Sequence, residues 1–349
     1  MRKIITYCCF PACFLLLSIS SFGQQINSLN YTIAPWRDNK KAAASITLDD
    51  AILGQFTIAV PLLNKYSIPA TFFITASIMQ QQNITWQMVK NAAAQGHEIA
   101  NHTLTHPHMH AIPVANMIYE VDSCNKLIDK NVPSQKCLTL AYPFGDGGGG
   151  NDSEKIVMKA IEPYCIGARA VRNNKLAYNA YSFAPTNDEY YRVNCDVIAD
   201  SAAMVDLPAH IDETIEGGGW YVPLYHGIET GWLITKKEVF EKHLQAFDKH
   251  KRDIWMTPFA NALKYHKERN CATLKTVSED NHTLVLSLTD TLSNASIWNE
   301  PLTINLSQPD LSIKNIVQGG HSVPSTKKEG TITFNATPGS EKIIITKAK

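Results

Sequence analysis

A chain of 349 residues, 44% of them hydrophobic, is long enough for one large core and a smaller second unit. Its 32 Lys and Arg residues balance 32 Asp and Glu, so the formal net charge of zero offers no electrostatic reason to expect nucleic acid as a partner. Eight cysteines without one C-x-x-C pair point away from a zinc ribbon and from a complete disulfide framework.

The chain opens with Arg2 and Lys3, an apolar run from Ile4 to Ile19, and the small-residue stretch Ser20-Ser21-Phe22-Gly23. This is the pattern of a signal peptide over residues 1–23, and it predicts an exported, periplasmic or secreted product. The apolar run contains Pro11 and is short for a span of about 20 residues, so no stable membrane span is expected after cleavage. Cys8, Cys9 and Cys13 would leave with the signal, and Cys124, Cys137, Cys165, Cys195 and Cys271 would remain as buried thiols. Cys124 with Cys137 is the short-range pair that could form a disulfide.

From about residue 42 to 258, short apolar or β-branched runs alternate with longer helical patterns. Strands are expected at 45–48, 71–75, 98–101, 138–142, 165–170, 191–195, 221–225 and 254–257, with helices at 55–65, 86–95, 113–129, 153–161 and 236–249. Repeated β-then-α units predict a parallel sheet with helices outside it, and eight strands suggest an α/β barrel spanning residues 30–269. Barrels present their chemistry at the C-terminal ends of strands, which is where Asp49, Asp50, His102 and His226 fall. The rival open sheet would need a glycine-rich phosphate turn after the first strand, and Asp49-Asp50-Ala51-Ile52 is not one. The glycine run at 145–150 leads into Asn151-Asp152-Ser153-Glu154, which reads as a loop and a helix N-cap. Beyond Arg269 the period changes to alternation at 283–289, 302–306, 311–317, 331–336 and 342–346, predicting a small β-sandwich over 272–349. Its aromatics are Trp298 and Phe334, too few for a sugar platform, so a structural role is expected.

Asp49 and Asp50 repel one another unless a cation, a helix N-terminus or water holds them, and helix capping alone is the simplest use of such a pair. His102 and His106 are spaced to share one side of a helical turn or tight loop. Two histidines and one carboxylate with open positions describe a catalytic rather than a structural zinc site.

Taken in order, Asp49-Asp50, His102-Thr103-Leu104-Thr105-His106, Tyr142-Pro143-Phe144-Gly145 and Leu224-Tyr225-His226 resemble the motifs of the polysaccharide deacetylase family with the NodB homology domain, carbohydrate esterase family 4. The resemblance covers roughly residues 40 to 268. It implies an irregular (β/α) barrel of the NodB type and metal-dependent removal of acetyl groups from N-acetylglucosamine-type glycans. It further implies that Asp50, His102 and His106 hold Zn2+ or another divalent transition metal, with Asp49 as catalytic base and His226 as acid. Tyr142, Pro143 and Phe144 would form the substrate and oxyanion motif, the Phe144 N–H binding the oxyanion, and Leu224 would line the acetyl-methyl pocket.

The chain departs from the family pattern in places. Leu48 stands where Phe is common, and Ala141 stands where many members carry an arginine that orients the catalytic aspartate. An Asp-Trp motif has no counterpart near Asp188 or Asp196. Arg169, on the strand after the Tyr142 motif, is expected to take over the orienting role, with Arg192 as the second contender. Two other readings use the same residues: an acetyl-ester (acetylxylan-type) deacetylase, and a carbohydrate-binding protein that keeps the metal without turnover. Catalysis is favoured because a binding module has no need for a poised acid and base.

Overall fold

The strand predicted at 45–48 appears as Ile46–Asp49 and is preceded by another, Ala42–Ala44. Ala42–Ala44 and Ile46–Asp49 form one extended run broken at Ser45, whose backbone N–H donates to Tyr221 O at 2.9 Å and whose hydroxyl accepts from Trp220 Nε1 at 3.0 Å. The later run is divided in the same way into Trp220–Tyr221 and Pro223–Tyr225, where Pro223 has no N–H to give to a ladder. The computed structural model describes residues 29–148, 150–171, 178–179, 187–199, 207–307 and 311–348, and the segment read as a signal peptide lies outside these residues.

Seven strands make the main sheet: β1 (Ile46–Asp49), β2 (Ala70–Ile74), β3 (Glu98–Asn101), β4 (Thr139–Ala141), β5 (Gly167–Arg169), β6 (Asp196–Val197) and β7 (Pro223–Tyr225). They lie in the order β5-β4-β3-β2-β1-β7-β6, and every pairing is parallel. β1 to β5 and β7 are buried throughout, as expected when helices cover one face and side chains fill the other. A parallel bridge between Arg169 and Val193 links the two edges, so the sheet curls into an irregular α/β barrel.

The predicted helices appear at Val60–Lys65, Trp86–Ala94, Val114–Asn131, Asp152–Ile161 and Lys237–Lys249. Pro61 removes a donor from the first, and the preceding turn, Gln55–Ala59, widens into a π-helix. Asn151 caps Asp152–Ile161 by accepting from the Glu154 N–H at 2.9 Å. Ala76–Gln81 and Leu207–Gly217 are further helices that periodicity left unassigned.

Two strand expectations need correcting. The sixth was placed at 191–195, but only Val193 bridges there and the ladder proper is Asp196–Val197, because Asn187–Tyr191 turns as a 3-10 helix. The eighth, Ile254–Met256, does not stand in the ring; it pairs with Ala42–Ala44 in a separate small sheet. All five described cysteines are free, and Cys124 and Cys137 remain separate buried thiols.

After the helix Phe259–Cys271, the C-terminal strands form sheets of four and five strands. Their inward residues, among them Leu284, Leu286, Ile304, Phe334, Ile343 and Ile345, are buried in one shared core. The four-stranded sheet recruits Asn30–Ile33, which pairs antiparallel with Leu302–Ser307. From Asn30 the chain therefore leaves this sheet, crosses into the barrel, and returns. The junction is polar as well as apolar: Arg37 pairs with Glu300 at 2.7 Å, and the Glu300 N–H donates to both Glu268 carboxylate oxygens at 3.1 Å. Phe334 is buried and Trp298 lies beneath the Lys267 ammonium, so neither forms an open aromatic platform.

Candidate active site

Five strand ends deliver the residues singled out above to one mouth of the barrel. Asp49 closes β1 and Asp50 follows it; His102 follows β3; Tyr142-Pro143-Phe144 follows β4; Arg169 closes β5; His226 follows β7. The backbone there is forced into unusual geometry. Asp50, Ala51, Thr103, His106 and Phe144 all have positive φ, at 81°, 64°, 66°, 61° and 56°. Each such residue costs on the order of 1 kcal/mol or more and persists only when its surroundings over-determine it.

Those surroundings are visible. Asn101 Oδ1 accepts from the Thr103 N–H at 2.6 Å, while its amide donates to Val121 O and Asn125 Oδ1. Glu120, on the helix Val114–Asn131, accepts from the Thr105 N–H and hydroxyl at 2.8 and 2.7 Å. The Thr75 hydroxyl donates to His102 O at 2.9 Å. The two histidines are therefore presented by a pinned loop, not by a helix.

Asp50 Oδ1 lies 3.5 Å from His102 Nε2 and 3.4 Å from His106 Nε2. A tetrahedral ion with bonds of about 2.1 Å has ligand–ligand edges of about 3.4 Å, which both Asp50–imidazole distances match, and all three ligand atoms lie within 4.8 Å of one another. His102 Nδ1 sits 2.8 Å from Ala141 O, which makes it the N–H donor and leaves the Nε2 lone pair facing Asp50. Burial pushes the His102 pKa down to about 3, with Asp50 opposing, so the ring is held in its neutral, ligating form. Asp50 Oδ1 is buried without a hydrogen-bond partner. Every one of these features fits a cation.

Beside this set, the Arg169 guanidinium makes an ion pair with Asp49 Oδ2 and a contact to Cys195 Sγ at 3.2 Å. Both members are almost wholly buried. Burial alone would favour a neutral guanidine, but Asp49 and Cys195 hold Arg169 charged and raise its pKa. Ala141 is the register neighbour of Arg169, so the small side chain on β4 leaves space for the long one on β5. Arg192 points elsewhere, to Gly148 O and Glu189. Asp49 Oδ1 is buried without a hydrogen-bond partner.

His226 is partly buried and its Nδ1 is likewise without a partner. Burial lowers its pKa, against the opposing pull of Asp49 and Asp50. Phe144 is 59% exposed at the rim, its ring between His106 and His108. Tyr142 is buried with its hydroxyl donating to Tyr191 O at 3.0 Å, and Leu224 is buried in the barrel core. Pro143 is also buried and shapes the turn that presents Phe144.

Two contributors escaped the sequence reading. Gln55 donates to both Asp49 O and His226 O, tying the strand end that carries Asp49 to the one that carries His226. Trp232 donates from Nε1 to Asp50 Oδ2 at 2.6 Å while its ring stays 40% exposed. Its loop packs closely on the first one: a Cβ on Gly54 would meet Ile228 O at 1.9 Å. The only sequence signal for Trp232 was an aromatic shortly after His226. The larger cavities, of about 600 Å³ beside Lys40 and Trp255 and about 740 Å³ beside His97 and Lys264, lie away from this mouth and lack its Asp-His-His set.

Comparison with known proteins agrees with this geometry. Residues 37–160 match the family model described as polysaccharide deacetylase. A gellan lyase from Bacillus sp. is 23% identical over 84% of this chain but only 12% of its own length. A chitooligosaccharide deacetylase from Sinorhizobium fredii (strain NBRC 101917 / NGR234) is 32% identical over 29% of this chain and 46% of its own. The peptidoglycan-N-acetylmuramic acid deacetylase PdaA of Bacillus subtilis (strain 168) is 29% identical over 35% and 47% respectively. The chain thus spans less than half the length of these relatives. The motifs ordered along the strands and the match of residues 37–160 to that family model together make this part of the chain similar to the polysaccharide deacetylases.

Proposed function

We propose that this protein is an exported, metal-dependent deacetylase of N-acetylglucosamine-type glycans. The observation that carries the proposal is the convergence of Asp50, His102 and His106 beside an Asp49 held by Arg169. Asp50 and the two imidazoles would hold Zn2+ or a similar divalent transition metal. Such an ion, when bound, supplies Lewis acidity that polarises the acetyl carbonyl and lowers the pKa of water.

The protein's own groups then divide the work. Asp49 takes a proton from water, and the resulting hydroxide oxygen bonds to the carbonyl carbon. The Phe144 N–H donates to the oxyanion, a contact of a kind worth about 3 kcal/mol. His226 delivers a proton to the nitrogen as the C–N bond breaks, giving acetate and a free amine. In this reading residues 1–23 direct export, and no helix among the described residues is long and apolar enough to cross a membrane.

One observation favours a second reading. Burial depresses the His226 pKa, which reduces the protonated fraction an amide leaving group requires. Acetyl esters need less protonation, so O-deacetylation of an acetylxylan-type glycan uses the same groups more readily. The deciding experiment measures acetate release from chitooligosaccharides, peptidoglycan, poly-N-acetylglucosamine and acetylxylan, with and without a chelator. Chelator-sensitive release from the first three supports N-deacetylation; release from acetylxylan alone supports the ester reading. Metal retention without acetate release from any of them leaves the binding-protein reading.

A further inference from the structure

The loop that carries His106 continues into a second cluster which the proposed chemistry does not use. His108 Nδ1 lies 3.1 Å from Asp146 Oδ2, and His110 Nδ1 lies 2.7 Å from the same oxygen. The three ligand-type atoms all fall within 4.8 Å of one another. We propose that His108, His110 and Asp146 form a second site for a divalent transition metal, separate from the Asp50-His102-His106 site.

The local structure is organised for it. Met109 is wholly buried at the start of the 3-10 turn Met109–Ala111, so the turn is anchored and the flanking histidines stay at the surface. The His108 ring is fixed by stacking on Phe144, with centroids 3.9 Å apart and planes 15° apart. Asp146 is mostly buried and ends the turn Pro143–Gly145, its N–H donating to Pro143 O at 3.0 Å. Side-chain positions are therefore set before any ion arrives, which lowers the ordering cost of binding.

The donor set names the class of ion. Two imidazole nitrogens and one carboxylate suit Zn2+, Co2+, Ni2+ or Cu2+, whereas Mg2+ and Ca2+ select oxygen ligands. His108 and His110 are 56% and 44% exposed, so water completes the coordination and affinity falls below that of the buried set. A bound ion also ties the loop after β3 to the loop after β4. These loops carry His106 and Phe144, so the second ion braces two walls of the mouth.

The test uses the full chain stripped of metal and titrated with Zn2+ by calorimetry, and with Co2+ by visible absorption. Two binding events per chain are expected, the weaker lost by at least tenfold in Asp146→Asn and His110→Gln while the tighter remains. His102→Gln should do the reverse. A thermal melt of each metal-free variant, with His108→Gln as an independent third, separates loss of ligation from loss of fold. A single event in the parent protein that His102→Gln abolishes and Asp146→Asn leaves unchanged would overturn the proposal. So would unchanged titrations in folded Asp146→Asn and His110→Gln, or Mg2+ competing as well as Zn2+ at the weaker site. Loss of the tighter event alone in the parent would bear on the proposed function and not on this site.

Discussion

Arg169→Met removes a buried charge and keeps most of the volume, so its effect isolates the ion pair. The guanidinium is 1% exposed and Asp49 3% exposed, and the lost contacts are the pair itself, the Cys195 contact and the cation 5.4 Å from the Phe73 ring centre. Breaking one partner of a buried pair typically costs about 3–5 kcal/mol, because the other charge stays buried without compensation. Here that charge lies beside Asp50, which adds repulsion. The metal-free Arg169→Met protein should therefore be about 3–5 kcal/mol less stable in urea, and loading Zn2+ should restore part of the loss. Asp49→Asn with Arg169→Met should cost less than the sum of the singles, by on the order of 1–3 kcal/mol of coupling. Turnover should fall by about 100-fold through misalignment of the base while zinc content is retained. Additive losses in the cycle, or turnover within a factor of two of the parent, would refute the orienting role.

His226→Ala should lower amide turnover by about 100-fold or more yet change hydrolysis of an aryl acetate little, and equal losses on both would assign His226 to binding. Because burial depresses the His226 pKa, amide turnover should lose its protonated acid as pH rises through that lowered value, a limb that the aryl ester should lack. His97 makes a stability prediction: its Nδ1 accepts from the Ala70 N–H, and burial lowers its pKa from 6.5 to about 4. The stabilisation is fully present above pH 6.5 and is lost as pH falls toward 4, about 3 kcal/mol in all, and a His97→Asn chain should show a shallower decline in urea midpoint across that window. Trp232→Phe keeps the exposed ring but removes the donor to Asp50, so Zn2+ affinity should fall by about tenfold; unchanged affinity would make the contact incidental.

Apolar runs and strand-end polar residues were legible because burial imposes hydrophobicity on every parallel strand and leaves chemistry to its C-terminal end. Thus β1 to β5 and β7 lie within a residue or two of where periodicity put them. The misplaced sixth strand is only two residues long, too short to carry a period. Tyr142 and Leu224 show a different limit: a motif locates a backbone position, but the burial of both side chains is set by neighbouring elements that the motif does not name. Trp232 and Gln55 were illegible for a related reason, since their roles depend on contacts between strand ends far apart in sequence. Asn30–Ile33 was missed because four residues, though alternating, are too short a run to mark a strand without their distant partner.

That short strand has a consequence for synthesis. Its partner, Leu302–Ser307, lies far along the chain, so Asn30–Ile33 must wait unpaired until all the sequence between them has been made. Pairing across such a separation closes a very large loop and is intrinsically slow. The barrel sequence between them can collapse earlier, leaving an open sheet edge until Leu302–Ser307 arrives. A chain cut before residue 302 would keep that edge permanently and should associate with other copies. Removing residues 29–36 as well, so that a fragment starts where the family match begins at residue 37, deletes the orphan strand and should suppress the association.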